Sequence, residues 1–283
     1  MPTPHPRPKA AERAAAVAAV ALAALTSAQA SEGEKPIQDN SFVLEEAYNQ
    51  EDGVAHHISC LSWQPKARQW SYSFTDEWPV VTPLHQLGFT LPVSRVDDGL
   101  AASVGVGDLL VNYRYQAVGS PATKVALAPR LSIALPTGDA SRGLGAGHFW
   151  AELNLPTSFT LSPTLVSHWN AGVSAVVLDQ TLSFSRLTFN FGQSLIWLVG
   201  NRVNLLLESL FNTYVEPSGA RVNRLNLGPG VRTGFDFASG LQVVAGLAAY
   251  ANVLAPDLAP TAFFYLSFEH PFLARSMPSR ATP

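Results

Sequence analysis

Beyond residue 55, apolar and polar side chains alternate with period two along nearly the whole chain. Stretch 224–235 carries the pattern most clearly. Leu225, Leu227, Pro229, Val231, Thr233 and Phe235 share one parity, and Arg224, Asn226, Gly228, Gly230, Arg232 and Gly234 share the other. Successive side chains of a strand point to opposite faces, so this segment has one greasy face and one wet face. Its length suits the roughly 9–11 residues with which a tilted strand crosses a bilayer. After a turn at Ala238-Ser239-Gly240 the alternation restarts, with Leu241, Val243, Ala245 and Leu247 against Gln242, Gly246 and Ala248. One amphipathic strand is weak evidence; its recurrence is what constrains the fold.

The pattern recurs at 56–63, 69–77, 84–92, 105–117, 123–135, 147–159, 164–175, 184–198, 202–214, 222–237, 241–253 and 261–270. No sustained helical stripe competes with it. Connectors give an independent check, because bacterial barrels keep short turns on the periplasmic side and longer loops outside. Counting back from a periplasmic C-terminus, the inner turns fall at 78–83, 118–122, 160–163, 199–201 and 238–240. Outer loops fall at 64–68, 93–104, 136–146, 176–183, 215–221 and 254–260, and the two longest connectors are both outer. The expected fold is all-β: a transmembrane antiparallel up-and-down β-barrel of about twelve strands over 55–270, followed by a tail at 271–283.

The first thirty residues read as an export address. Arg7, Lys9 and Arg13 form a positive head, an apolar run follows over 14–25, and Ala28-Gln29-Ala30 is a small-x-small cleavage site. A cleaved signal peptide at 1–30 is expected, and no later run offers the roughly 18 apolar residues of a spanning helix. The chain is 47% apolar but only 14% charged, against about 25% charged in a soluble domain. One cysteine excludes an internal disulfide framework. Segment 31–54 stands apart: Glu32, Glu34, Asp39, Glu45, Glu46, Glu51 and Asp52 face a single base, Lys35. It reads either as a solvated periplasmic arm or as a plug that enters the barrel, with Glu45, Glu46, Tyr48 and Glu51 pairing with inward arginines.

A soluble barrel would turn the polar face outward. Here that face nearly lacks lysine, since only Lys66 and Lys124 occur after residue 54. It carries Arg114, Arg130, Glu152, Arg186, Glu208, Arg224, Arg232 and Glu269. An Arg facing lipid at the midplane costs about 2–4 kcal/mol, so these residues are expected to line a lumen. Trp63, Trp70, Trp78, Trp197 and Phe184 fall near strand ends, as interfacial aromatics do, whereas Trp150 and Trp169 fit less neatly. Ile196, Leu206, Leu210, Val244 and Tyr250 also take inward parities. That mixture predicts a narrow, partly apolar passage, because twelve strands enclose too little space for a general porin lumen.

Glu45-Glu46-Ala47-Tyr48-Asn49-Gln50-Glu51, Glu77-Trp78-Pro79, Gly105-Val106-Gly107-Asp108 and Leu135-Pro136-Thr137-Gly138-Asp139 resemble a bacterial outer-membrane β-barrel "transporter" family of the phenol meta-pathway degradation type. The resemblance covers most of the chain after residue 30. It implies an architecture similar to channels for hydrophobic compounds. Barrels of this kind often end on an aromatic residue read by the outer-membrane assembly machinery. Here Phe264, Leu266 and Phe268 precede a further tail to Pro283.

Catalytic signatures are missing: no Gly-x-Ser-x-Gly, His-Glu-x-x-His, Cys/His zinc spacing or phosphate-binding glycine loop occurs. His168 takes an inward parity, but Ser167 points the other way, and Ser174 lies roughly 20 Å along the strand. Neither an enzyme nor a cofactor or metal is expected, and no nucleic-acid partner. The expected partners are outer-membrane lipid, a small-molecule solute and the assembly machinery. The reading is passive uptake of small hydrophobic or aromatic compounds. A structural or adhesive barrel presenting loops 93–104 and 136–146 is the alternative, and a lipid-modifying enzyme a distant third.

Overall fold

A computed structural model of the chain describes residues 37, 39–97, 99–176, 187–215, 219–256 and 258–272. The signal peptide expected at 1–30, Phe184, Arg186 and nearly all of the tail lie outside the described residues. Fifteen strand segments form one antiparallel sheet. They are β1 (Val54–Gln64), β2 (Gln69–Val80), β3 (Thr82–Asp97), β4 (Ala102–Val106), β5 (Leu109–Tyr115), β6 (Val125–Leu127), β7 (Arg130–Leu135) and β8 (Trp150–Asn154). The remainder are β9 (Thr157–Ser162), β10 (Leu165–Val176), β11 (Thr188–Val199), β12 (Val203–Val215), β13 (Arg221–Asp236), β14 (Gln242–Asn252) and β15 (Thr261–Pro271). Pairing of β15 with β1, from Val54↔Pro271 to Trp63↔Ala262, closes the ring between the first strand and the last.

Three pairs of segments are single staves with a break, so the wall is a closed barrel of twelve. β6/β7 breaks at Pro129 and β8/β9 at Pro156, residues that have no N–H to give a ladder. Their carbonyls still serve: Tyr115 N donates to Pro129 O at 3.0 Å, and Ala128 N donates to Pro156 O at 3.1 Å. β4/β5 breaks at Gly107-Asp108. There the Asp108 carboxylate accepts from Gly138 N at 3.0 Å and Ala146 N at 2.7 Å, while Thr137 Oγ1 donates to Gly107 O at 3.0 Å. The Gly-x-Gly-Asp and Leu-Pro-Thr-Gly-Asp signatures are thus two halves of one clasp that folds the 136–149 loop against β4 and buries Leu144.

Inner turns are as short as Val81 alone or 163–164, but the inner connector 116–124 is longer than the outer connector 65–68, so the expected alternation of lengths holds only in part. One expectation is corrected. Loop 93–104 is mostly strand, since β3 and β4 stay paired from Val93↔Val106 to Asp97↔Ala102, leaving only 98–101 as loop. Arg95, Asp97 and Gly99 give this stretch the composition of a loop, but the β3–β4 ladder runs through most of it.

The greasy parity faces outward. Leu207 is 56% exposed, Leu247 48% and Phe264 41%, and Phe189, Phe191, Leu131 and Leu153 join them on the outer wall. Trp63 and Trp70 pair across β1 and β2 at the loop end, and Trp197 is exposed near the short-turn end. No helix among the described residues is long and apolar enough to cross a membrane. Strands cross instead, because a closed ladder leaves no unpaired backbone in lipid.

Candidate functional site

What fills the lumen is Ile37 and residues 39–50. They adopt no regular structure, and Ile37, Asp39, Phe42, Leu44, Glu46, Ala47 and Tyr48 are all buried. The segment rises from the short-turn end to mid-barrel near Val43 and descends to enter β1. Its contacts run around the whole inner wall. Asp39 accepts from Tyr265 OH at 2.7 Å and Ser267 Oγ at 2.8 Å, and lies 3.5 Å from His56 Nε2. Arg232 donates to the carbonyls of Asp39, at 2.9 Å, and Asn40. Val43 N donates to Glu208, whose other oxygen accepts from Tyr250 OH.

The descending limb meets the opposite wall. Glu45 pairs with Arg130, and its amide and carbonyl bond the Asn170 side chain. Arg114 donates to Tyr48 O at 2.7 Å and Asn49 Oδ1 at 3.0 Å. Ala47 N donates to Ser158 Oγ at 2.8 Å, Asn49 N to Gln116 at 2.9 Å and Gln50 N to Gln86 at 2.8 Å. Ser158 Oγ, which accepts from Ala47 N, also shares a hydrogen bond with His168 Nδ1, 2.7 Å away. The serine beside His168 is therefore Ser158. Ser167 bonds Ser194 O and Ser174 bonds Glu152, so neither pairs with the histidine. Packing beneath Ala47 and Tyr48 makes this Ser–His pair a wall bracket.

The sequence candidates distribute as follows. Arg114, Arg130, Arg232 and Glu208 touch the inner segment directly. Glu269 lies 3.8 Å from the buried His56. Glu152 and Arg224 take lumen positions above it, Glu152 bonded by Ser174 and Arg224 stacked 5.9 Å from the Tyr214 ring centroid. Of the leader residues, Glu45, Glu46 and Tyr48 are inside, whereas Glu51 is exposed beyond the descending limb. Asp39 and Phe42 are central as well, although neither is among the sequence candidates. The signal that points to Phe42 is the run of inward glycines. A Cβ at Gly230 or Gly246 would collide with the Phe42 ring, one at Gly192 with Leu44, and one at Gly234 with Ile37. The inward apolar residues Ile196, Leu206 and Val244 complete the socket, packing in one cluster with Ile37, Phe42 and Tyr265.

That socket is testable with the single cysteine. Cys60 packs against the same cluster from β1, so displacing Phe42 uncovers its thiol. Gly246→Val should cost the seated segment about 1–3 kcal/mol through overpacking. Reaction of Cys60 with a water-soluble maleimide should accelerate roughly tenfold. Ala245→Val, one residue along on the lipid face, should leave the rate unchanged.

Above Val43 the lumen opens into a cavity of about 230 Å³ at the loop end, between β1, β12, β13, β14 and β15. Its floor is Val43, Tyr250 and Phe263, and Arg224, Asn226 and Asn252 stand on its walls. No group of His, Cys, Asp and Glu suited to a metal occurs among the described residues.

A closed barrel with an apolar outer belt and charged residues inside is a transmembrane β-barrel, and its place is the cell outer membrane. Solved structures share the architecture. An outer membrane channel from Pseudomonas putida F1 superposes with a TM-score of 0.58 at 14% identity, covering 79% of this chain and 97% of that one. The NanC porin (TM-score 0.49, 5% identity, 76% and 98% coverage) and the KdgM porin (0.48, 7%, 77% and 99%) are more distant. No protein-family profile matches the chain, and no curated protein matches it by sequence.

Proposed function

We propose that the protein is an outer-membrane channel for passive uptake of small hydrophobic or aromatic compounds, with residues 37–50 as a plug whose withdrawal opens the path. The observation that carries this reading is the manner of attachment. Among the described residues, every hydrogen bond between 39–50 and the barrel involves a side chain, and no backbone-to-backbone bond joins them. The wall's ladder is complete without the segment, so the plug can leave without breaking the barrel. On this reading Arg114, Arg130 and Arg232 hold the plug rather than select solute.

The mixed lining supports a partly apolar cargo. Val43, Leu210 and Phe263 meet the solute side of the cavity, alongside amides rather than a dense ring of charge. The Pseudomonas putida protein of like architecture is itself an outer membrane channel. The motif resemblance to phenol meta-pathway barrels points to the same cargo class. A test is uptake by Gram-negative cells whose own general porins have been removed. Cells carrying the protein should take up labelled toluene severalfold faster than cells with an empty vector, while a labelled disaccharide shows little gain. Equal toluene uptake in the two strains would reject the channel reading.

A further inference from the structure

We infer that β10, β11 and β12 present an outer face on which a second copy of this chain docks, with Gln193 of the two copies hydrogen-bonded across a two-fold axis. Gln193 lies in the middle of β11, on the outward parity it shares with the exposed Phe189, Phe191 and Trp197. Ser209 Oγ reaches its backbone carbonyl at 3.4 Å, but its carboxamide has no hydrogen-bond partner among the described residues. Trp197 marks the short-turn interface four positions further along the strand. At about 3.3 Å per residue and a tilt of about 40°, Gln193 is roughly 10 Å deeper, near the middle of an apolar band about 25 Å tall.

The amide is not alone. Register places Trp169 of β10 on one side of it and Ser209 of β12 on the other, with Thr157 of β9 beyond the tryptophan. Trp169 is exposed and packs edge-on against Phe191, with ring centroids 5.7 Å apart. Its indole N–H meets no acceptor among the described residues. This is a tryptophan that falls between the two aromatic girdles. Hydrocarbon offers neither group a partner, so each forfeits a hydrogen bond that water would supply.

Within the membrane only another protein can satisfy them, and symmetry selects which. Every copy inserts in the same direction, so copies are related about an axis along the membrane normal, and each residue meets residues of its own depth. Elsewhere at that depth the described strands present Leu227, Leu247, Leu266, Phe89, Val111 and Leu153. The exception, Ser59, is already hydrogen-bonded to Tyr72 at 3.0 Å. A ring of three would set the polar row against one of those apolar strands, whereas a two-fold contact sets it against itself. A carboxamide carries donors and an acceptor, so two facing glutamines exchange two N–H···O bonds. Small side chains at Ala171 and Ser209 let the walls approach, and Trp169 and Phe191 supply aromatic contact. The contact uses only the outer wall and does not depend on what the lumen carries.

Light scattering of the purified mature protein in a mild detergent should give twice the mass of one chain. Gln193→Leu, which suits lipid and leaves every ladder bond in place, should dissociate at least about tenfold more readily. Gln193→Asn keeps an amide at the same place and should retain most of the dimer. In a Cys60→Ser background, Gln193→Cys should cross-link to a dimer in native outer membranes on oxidation with copper–phenanthroline. Phe264→Cys, exposed on β15 four strands away, should not. A monomeric mass with the Gln193→Cys cross-link present places the dimer in the membrane alone and upholds the proposal. A monomeric mass without that cross-link overturns it, as do a mass of three chains, equal cross-linking of Phe264→Cys, or Gln193→Leu dimers as tight as those of the parent chain.

Discussion

Removing residues 31–50 should raise single-channel conductance in planar bilayers roughly tenfold over the full-length mature chain. The closed wall predicts that the shortened protein still folds, because β1 begins at Val54 and takes its ladder from β2 and β15. Conductance should rise because residues 39–50 fill the short-turn half of the lumen, where Ala47 and Tyr48 are packed as tightly as core residues. Apolar wall residues such as Ile196, Leu206 and Val244 would then face water. They should leave the widened pore cation- and anion-permeable but narrow. A heat-modifiable, folded deletion protein with unchanged conductance would show that this segment does not block the path.

Asp39→Ala should have the next largest effect. The carboxylate is 1% exposed and holds three donors at once: Tyr265 OH, Ser267 Oγ and Asn40 N. Truncation leaves both hydroxyls and Asn40 N without their acceptor, a cost of about 3–5 kcal/mol to the seated plug at roughly 1–3 kcal/mol for each unsatisfied group. A two-state plug would shift by more than about a hundredfold toward the withdrawn form. Cys60 labelling should accelerate accordingly, and open events should appear in bilayer recordings of the otherwise full-length protein. Asp39→Asn retains one acceptor and should give an intermediate rate. If Asp39→Ala labels no faster than the parent chain while Gly246→Val does, the plug is held by packing rather than by this carboxylate.

The wall was legible because its physics is local. A strand's two faces meet different solvents, so lipid outside and polar contacts inside impose a period of two that survives in the order of residues alone. Strand ends agreed within a few residues for most staves. They failed at β3–β4, where Arg95 and Asp97 interrupt the apolar parity of Leu91 and Val93 although the pairing continues. The staves broken at Pro129 and Pro156 were read as continuous, since their prolines sit between segments that keep the same alternation.

The inner segment was a different matter. Its acidity marked it as separate from the barrel, and Glu45 and Glu46 were candidates because inward arginines needed partners. Asp39 and Phe42 do not stand out in the sequence, since their partners lie roughly two hundred residues away, on β13, β14 and β15. Gly230 and Gly246 leave room for the Phe42 ring, which a Cβ at either position would strike. Composition and alternation therefore settled by themselves that this chain makes a membrane barrel with a wet interior. Only the closed ring could decide that its leader turns back into that interior, because the sockets receiving it exist only once strands distant in sequence have curved around one axis.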